Sequence, residues 1–253
     1  MTSSIRNVAF FALTTLAFGS GAVAQSAEDL REAFSGTWYV FDQGFSAQNQ
    51  LCRVVLENVR TPSDGGNAAE FKAAAENCSG PLGQGITWRV ESGKILVTLT
   101  SGQAIAALGG NPQRLSGDYA GPPGALVLER ENGSGAKADL TAAIKGHGCY
   151  YLGYTADCAD TSATKPPKFD GGTAEIDVLV KLNVRNQPRR DAPVMGTIPR
   201  GSTVTVNTCL TTSDGIWCRA RFDDSMGWMA KSALRQGQWP VITYVNARAK
   251  EDS

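Results

Sequence analysis

Apolar and polar residues alternate in two short segments of the N-terminal half of the chain. In segments 52–57 and 94–100, apolar side chains fall on every second position. A period of two predicts antiparallel strands that bury one face. Glycine and proline clusters such as PSDGG, SGPLGQG and AGPPG separate the segments. Many short strands joined by such turns indicate an all-β module of barrel or sandwich type, within about residues 25–131.

One segment of this module has a different composition. NAAEFKAAAENC, at residues 67–78, is rich in alanine, which favours helix. The sequence therefore predicts a short helical turn here, ended at Cys78.

A second strand-rich module is predicted at residues 176–235. Leu182 and Val184 alternate with polar neighbours, and Val204 and Val206 mark a further strand. Asp214-Gly215 is a hairpin turn signal, followed by an alternating segment that begins at Trp217. Five short strands in this range indicate a second small barrel.

The segment between the modules, residues 132–175, has a mixed character. ENGSGAK and TSATKPPKFDGGT are typical of flexible linkers, and such linkers predict loose coupling between the modules. The aromatic-rich stretch between them, IKGHGCYYLGYTADCAD, indicates either a small stapled hairpin or a flap on one of the modules. Residues 236–253 are expected to be a C-terminal tail.

The first 24 residues have the parts of a signal peptide. Arg6 gives a positive start, VAFFALTTLAF is a short apolar core, and Ala22-Val23-Ala24 is a small-x-small cleavage site. The mature chain is then expected to begin at Gln25, in the periplasm or outside the cell. A membrane anchor is the rival interpretation, but the apolar run is too short to span a bilayer, and no later stretch is long enough either.

Six cysteines follow the predicted cleavage site. An even number in an exported chain indicates disulfides, although six cysteines allow fifteen pairings. We expect the sequential set, because each couple then lies inside one module: Cys52 with Cys78, Cys149 with Cys158, and Cys209 with Cys218. A metal site is the weaker interpretation, since no Cys-x-x-Cys occurs and His147 is the only histidine.

Composition excludes several classes of function. The net charge is zero, but residues 25–131 carry −4 and residues 176–253 carry +4. The basic module could meet an anionic envelope polymer, or its charges could be an ordinary solvated surface. No nucleic-acid footprint, phosphate-binding loop, HExxH run or nucleophile elbow occurs. We therefore expect no enzyme activity, no metal and no cofactor.

The first module has a pattern that goes beyond alternation. Its parts are Gly36-x-Trp38, Cys52-x-Val54-x-Leu56, Cys78, Trp88, the strand at 96–99 and the closing GALVLER at 124–130. This pattern resembles the alkaline-proteinase inhibitor family, which blocks serralysin-type zinc metalloproteases. The resemblance implies an eight-stranded antiparallel, lipocalin-like barrel bridged by one disulfide.

The same resemblance implies a function for the N-terminus. Members of that family insert an N-terminal trunk into the protease cleft, and a free α-amine is a competent ligand for the open position of a catalytic zinc. The trunk residues here would be Gln25, Ser26, Ala27, Glu28 and Asp29. From the residues themselves, AEDLREAF could instead be a helix that packs against the barrel.

The second module resembles bacterial SH3-like domains, which often bind cell-wall peptides or serve as targeting modules. Trp217 and Trp228 could line a peptide groove or could be structural. The resemblance rests on Leu182-Asn183-Val184-Arg185, Pro188, Val194-Met195-Gly196, Gly201, Trp217-Cys218-Arg219-Ala220 and Gly227-Trp228-Met229.

Two functions follow as hypotheses. The first is an exported inhibitor of a serralysin-type zinc metalloprotease, whose trunk occupies the protease cleft and whose SH3-like module targets it. The alternative is a non-inhibitory envelope protein that binds a cell-wall peptide, with peptidoglycan as its partner, or a small apolar ligand.

Overall fold

The computed structural model describes residues 26–62, 69–130, 135–169, 172–222 and 224–247. The predicted signal peptide, Gln25 and residues 248–253 lie outside these ranges. Within them, no helix has both the length and the apolar character needed to cross a bilayer.

The N-terminal module is a closed barrel of eight antiparallel strands in chain order, as the resemblance implied. The strands are β1 (Gly36–Val40), β2 (Cys52–Arg60), β3 (Phe71–Glu76), β4 (Ile86–Glu91), β5 (Lys94–Leu99), β6 (Ala104–Asn111), β7 (Arg114–Tyr119) and β8 (Ala125–Glu129). Strands β1 and β8 close the barrel, with Tyr39 opposite Glu129.

Two tryptophans lie in the core of the barrel. Trp38 and Trp88 are fully buried, and each indole N–H donates to a backbone carbonyl at 2.9 Å, that of Phe34 and that of Glu57 respectively. Because both indoles have a hydrogen-bond partner, they bury a large apolar area without an unsatisfied polar group. Arg130 covers one end of this core, its guanidinium 3.8 Å from the centre of the Trp38 ring.

The alanine-rich segment predicted as a helical turn at 67–78 is described from residue 69 onwards, and there it contains a strand, so the prediction was wrong for those residues. Residues 67 and 68 lie outside the described ranges. Residues 71–76 form β3, which pairs with β2 along one edge and with β4 along the other. The disulfide between Cys52 and Cys78 fixes the end of β3 beside the start of β2. Two flanking strands satisfy the backbone here, which outweighs the modest helix propensity of alanine.

The chain before the barrel forms helix α1, Ala27–Phe34. Ser26 and Asp29 make a reciprocal capping box at its N-terminus, which satisfies backbone donors that would otherwise lack partners. Leu30, Ala33 and Phe34 pack against the barrel core. The helical interpretation of AEDLREAF is therefore confirmed.

Nine strands make up most of the C-terminal module: β10 (Ala174–Val178), β11 (Leu182–Arg185), β12 (Val194–Ile198), β13 (Thr203–Thr212), β14 (Gly215–Phe222), β15 (Ser225–Ala230), β16 (Ser232–Arg235), β17 (Trp239–Ile242) and β18 (Tyr244–Asn246). Seven of them form a sheet in the order β12-β11-β15-β14-β13-β10-β18. The expected tail is part of the module, because β18 pairs with β10 and β17 pairs with β16.

The segment between the modules belongs to the C-terminal module. It forms helix α2, Gly135–His147, and strand β9, Tyr151–Leu152. Strand β9 pairs in parallel with β17, which makes a three-stranded sheet with β16. The sequence left two interpretations of this segment open, a small stapled hairpin and a flap on one of the modules. Most of the segment is a flap on the C-terminal module. An antiparallel bridge between Tyr151 and Cys158 adds a small stapled turn to it.

All three disulfides join the expected couples: Cys52–Cys78, Cys149–Cys158 and Cys209–Cys218. The last couple lies directly opposite on β13 and β14, on the two arms of the predicted hairpin.

The two modules are joined by a buried polar cluster, which contradicts the loose coupling expected from the linker composition. The turn of the β13–β14 hairpin reaches the barrel, where the Ser213 amide donates to Glu129 Oε1 at 2.9 Å. Arg114 of the barrel donates to Glu129 and, at 3.0 Å, to Asp214 Oδ1. Arg114 also donates to the Pro188 carbonyl at 2.6 Å. These side chains are almost completely buried, so the modules meet through a buried, charge-assisted contact.

The charge of Asp214 depends on both modules. Burial by itself would raise the pKa of this carboxyl, but the guanidinium groups of Arg114 and Arg190 outweigh burial and hold the pKa below its usual value. The Thr212 hydroxyl and the Trp217 indole N–H donate to the same carboxylate and act in the same direction.

Removal of Arg114 should test this contact. We expect Arg114→Met to lower the free energy of unfolding by about 3–5 kcal/mol, because two buried carboxylates lose their shared cation. The matched control is Arg53→Met, which removes an exposed pair with Glu76 and should cost less than about 1 kcal/mol. Urea unfolding measures the stability of both variants. Equal unfolding midpoints for the two variants would contradict the claim that Arg114 stabilises the contact between the modules.

A buried lysine generates a second prediction. Lys231 is 2% exposed, and its ammonium has one hydrogen bond, to the Tyr244 carbonyl at 3.3 Å. Burial lowers its pKa to about 8. The unfolded chain keeps this proton up to its ordinary pKa of about 10.4, so it binds more protons above pH 8 and the free energy of unfolding rises with pH.

We expect a rise of about 1–2 kcal/mol between pH 8 and about pH 9.5 from this group. Lys231→Met should flatten the rise, whereas exposed Lys94→Met should keep it. Urea unfolding of the three proteins across this pH range provides the comparison. An equal slope in all three would show that Lys231 does not titrate in this window.

Candidate functional site

A cavity of about 400 Å³ lies on the C-terminal module, between the SH3-like strands and the segment added before them. Side chains from most of the module converge on it: α2, the turn after β9, β11 and the turn that follows it, β14, the end of β15 and the β16–β17 hairpin. The residues that line it are Asp139, Leu140, Tyr154, Val180, Lys181, Leu182, Asn183, Arg185, Arg190, Trp217, Ala230, Ala233, Leu234, Arg235, Val241 and Thr243. We call this cavity the groove.

The floor of the groove is held rigidly by hydrogen bonds. Trp217 is 1% exposed, and its indole N–H donates to Asp214 Oδ1 at 3.2 Å. The guanidinium of Arg190 lies 5.7 Å from the centre of the Trp217 ring and 3.1 Å from Asp214 Oδ2. Arg190 also donates to the Ser232 carbonyl at 2.9 Å. These contacts fix Arg190 on the groove floor before any ligand arrives.

The groove carries a positive charge. Lys181, Arg185, Arg190 and Arg235 line it, and Asp139 is its one acidic lining residue. Burial and the neighbouring Arg190 lower the pKa of Arg185, which nevertheless stays a cation because arginine titrates far above neutral pH. A partly enclosed surface of one sign attracts ligands of the opposite sign.

The structure separates the two tryptophans that the sequence placed in a peptide groove. Trp217 lines the groove floor, but Trp228 does not. Trp228 is 4% exposed, joins the core cluster that continues into the barrel, and lies under Arg219. Arg219 in turn pairs with Asp118 of the barrel at 2.9 Å. Trp228 therefore contributes to the contact between the two modules.

Sequence reasoning missed several groove residues. Arg190 sits in the turn between β11 and β12, and Asp139 and Tyr154 come from the segment that was expected to be mostly linker. The adjacent arginines at 189–190 were a visible signal, but only the fold shows that Arg190 points to the groove floor whereas Arg189 pairs with Asp191.

The predicted trunk residues form the start of helix α1. Ser26 is its N-cap, and Ala27, Glu28 and Asp29 make its exposed first turn. The hydrogen bonds from Ser26 lower the pKa of Asp29, which keeps this carboxylate charged at the helix N-terminus. Gln25 lies outside the described residues.

His147 ends helix α2 and packs against aromatic rings. Its ring lies 4.5 Å from that of Trp239 and 5.7 Å from that of Tyr151. In the part of the chain that the structure describes, no three His, Cys, Asp or Glu side chains are grouped as metal ligands would be.

Comparison with known proteins identifies one part of the chain. Residues 180–235 match the bacterial SH3 domain family. Among solved structures, the antimicrobial peptidase lysostaphin from Staphylococcus simulans aligns with 83% of this chain and 94% of its own, at 13% identity and a TM-score of 0.26. Similarity at that level supports no statement about fold or function. No curated protein matches the chain.

Proposed function

We propose that this protein is an exported envelope protein that binds an anionic cell-wall peptide in the groove of its SH3-like module. The observation that carries this proposal is the cationic groove on a module that matches the bacterial SH3 domain family. The barrel serves as a scaffold joined rigidly to that module, and the protein acts by binding rather than by catalysis.

The size and composition of the groove support a short peptide as the ligand. About 400 Å³ is within the range of sites for small ligands. Ala230, Ala233 and Leu234 are partly exposed and offer apolar surface. Lys181 and Arg235 lie exposed and can meet carboxylates. Peptide stems of bacterial walls combine small apolar side chains with free carboxylates, so their chemistry fits both kinds of surface.

Charge changes at the groove test this proposal. Binding of a fluorescent synthetic stem tetrapeptide, followed by anisotropy at low salt, should weaken about three- to tenfold in Lys181→Glu and strengthen in Asp139→Asn. Affinity should also fall as the salt concentration rises, because exposed charges are screened. The matched control is Arg221→Glu, an exposed cation of the same module that does not line the groove.

Pelleting with purified peptidoglycan gives an independent measurement. The wild-type protein and Arg221→Glu should pellet alike, and Lys181→Glu should pellet less. Equal pelleting and equal peptide affinity in all variants would place wall binding, if any, outside the groove and would overturn the proposal.

Inhibition of a serralysin-type zinc metalloprotease is the second candidate function. The closed eight-stranded barrel, with one disulfide between Cys52 and Cys78, supports it because the inhibitor family has the same barrel type. The position of α1 opposes the trunk mechanism. If cleavage follows Ala24, only Gln25 and Ser26 precede the packed helix, and two extended residues reach about 7 Å. The helix would have to leave the barrel for the trunk to enter a deep cleft.

A protease assay with two forms of the protein tests this function. One form begins at Gln25 and the other begins at Arg31. If the trunk inhibits, the longer form should block a serralysin-type protease and the shorter form should not. Circular dichroism should confirm that the shorter form keeps its fold. No inhibition by the longer form would exclude this function for that class of protease.

A further inference from the structure

One tryptophan on the C-terminal module differs from all the others in exposure. Trp239 is 40% exposed, whereas Trp38, Trp88, Trp217 and Trp228 are each at most 4% exposed. It is the first residue of β17, directly after the turn that joins β16 to β17. Neither the groove nor the contact between the modules uses it.

The exposed indole is held in place by two neighbouring rings. His147 lies 4.5 Å from it and Tyr151 lies 5.8 Å from it, centre to centre. Tyr151 also reaches His147 through its hydroxyl, 3.4 Å from Nδ1. Gly148, at φ +78°, ends α2 by a bond from its amide to the Ile144 carbonyl, and this left-handed residue sets His147 beside the sheet. A rigid exposed ring loses little entropy when a ligand binds.

Polar groups continue this surface toward the groove. Arg235 is the direct cross-strand partner of Trp239 in the β16–β17 hairpin. Its guanidinium lies 4.7 Å from the centre of the Tyr154 ring, which is 45% exposed. Arg235 and Tyr154 both line the groove. Trp239, Arg235 and Tyr154 therefore form one continuous exposed row that ends at the groove.

We propose that Trp239, held by His147 and Tyr151 and flanked by Arg235, is a saccharide-binding platform. The kind of sugar rests on the proposed function: if the ligand is bacterial wall, the platform takes its β-linked N-acetylhexosamine chain. A pyranose ring has an apolar C–H face about as wide as an indole and hydroxyl groups around its rim. The indole meets the face, as aromatic rings do in amphipathic contacts. The guanidinium of Arg235 and the Tyr154 hydroxyl supply donors for the rim.

The extent of the surface favours a sugar over a protein partner. A stable protein interface buries about 800 Å² on each side around a cluster of apolar anchors. Here one exposed indole and one exposed phenol are separated by a cation. The site is distinct from the peptide groove proposed above, but the two adjoin, so a wall polymer of glycan with peptide branches could contact both.

Trp239 provides its own reporter for the test. Because the other four tryptophans are buried, iodide quenching of tryptophan fluorescence reports mainly on Trp239. Chitotetraose, an uncharged N-acetylglucosamine tetramer, should cause a saturable blue shift and should protect the fluorescence from iodide. His147→Ala should weaken this titration about three- to tenfold, because the indole loses one of its supports.

Variants without Trp239 cannot be followed by its fluorescence, so their binding is measured as retention on chitin beads. Trp239→Ala should abolish retention, Trp239→Phe should keep part of it, and Phe169→Ala should leave it unchanged. Phe169 is a matched control, 40% exposed and outside the platform. Thermal unfolding should be equal in Trp239→Phe and wild type, which separates loss of binding from loss of fold.

Each outcome decides between the proposals. No fluorescence change with chitotetraose up to about 10 mM would overturn the platform and leave peptide binding standing. A saccharide titration that succeeds while the stem peptide fails to bind would support the platform and remove the peptide groove. Protection of Trp239 that grows with protein concentration in the absence of sugar would show that a second copy of the chain covers it, which would also overturn the platform.

Discussion

The carboxylate of Asp214 is the point on which the arrangement of this molecule depends. It lies at the turn of one hairpin and meets two cations from different places, Arg114 of the barrel and Arg190 of the groove floor. A buried carboxylate is costly unless it is paired and hydrogen-bonded. The barrel therefore stabilises the hairpin turn, and the same turn positions the arginine that a ligand would meet.

This pairing gives the groove a fixed relation to the barrel. Trp217, which lines the groove, donates to Asp214, and Trp228 on the next strand packs into the core that continues into the barrel. The groove thus lies on a module that packs against the barrel through buried contacts. A wall ligand would meet a preformed site, so the entropic cost of ordering the site on binding would be small.

The segment between the modules contributes more to the candidate sites than any linker would. Its helix supplies Asp139 to the groove and ends at His147 beside Trp239, and its short strand β9 extends the sheet that carries Trp239. The disulfide between Cys149 and Cys158 staples the region between them. The peptide groove and the proposed saccharide platform both require this segment, and the matched SH3 region alone contains neither in full.

The sequence by itself determined the two strand-rich modules, the hairpin at Asp214-Gly215 and all three disulfide couples. These features depend on local alternation, turn chemistry and proximity along the chain, which a sequence displays directly. The tertiary structure alone decided that the alanine-rich residues 71–76 form a strand and that the linker and tail join the second module. It also decided that Trp228 faces the barrel while Arg190 faces the groove. Those outcomes depend on partners distant in the sequence, because paired strands and buried charges are stabilised only when the chain brings their complements together.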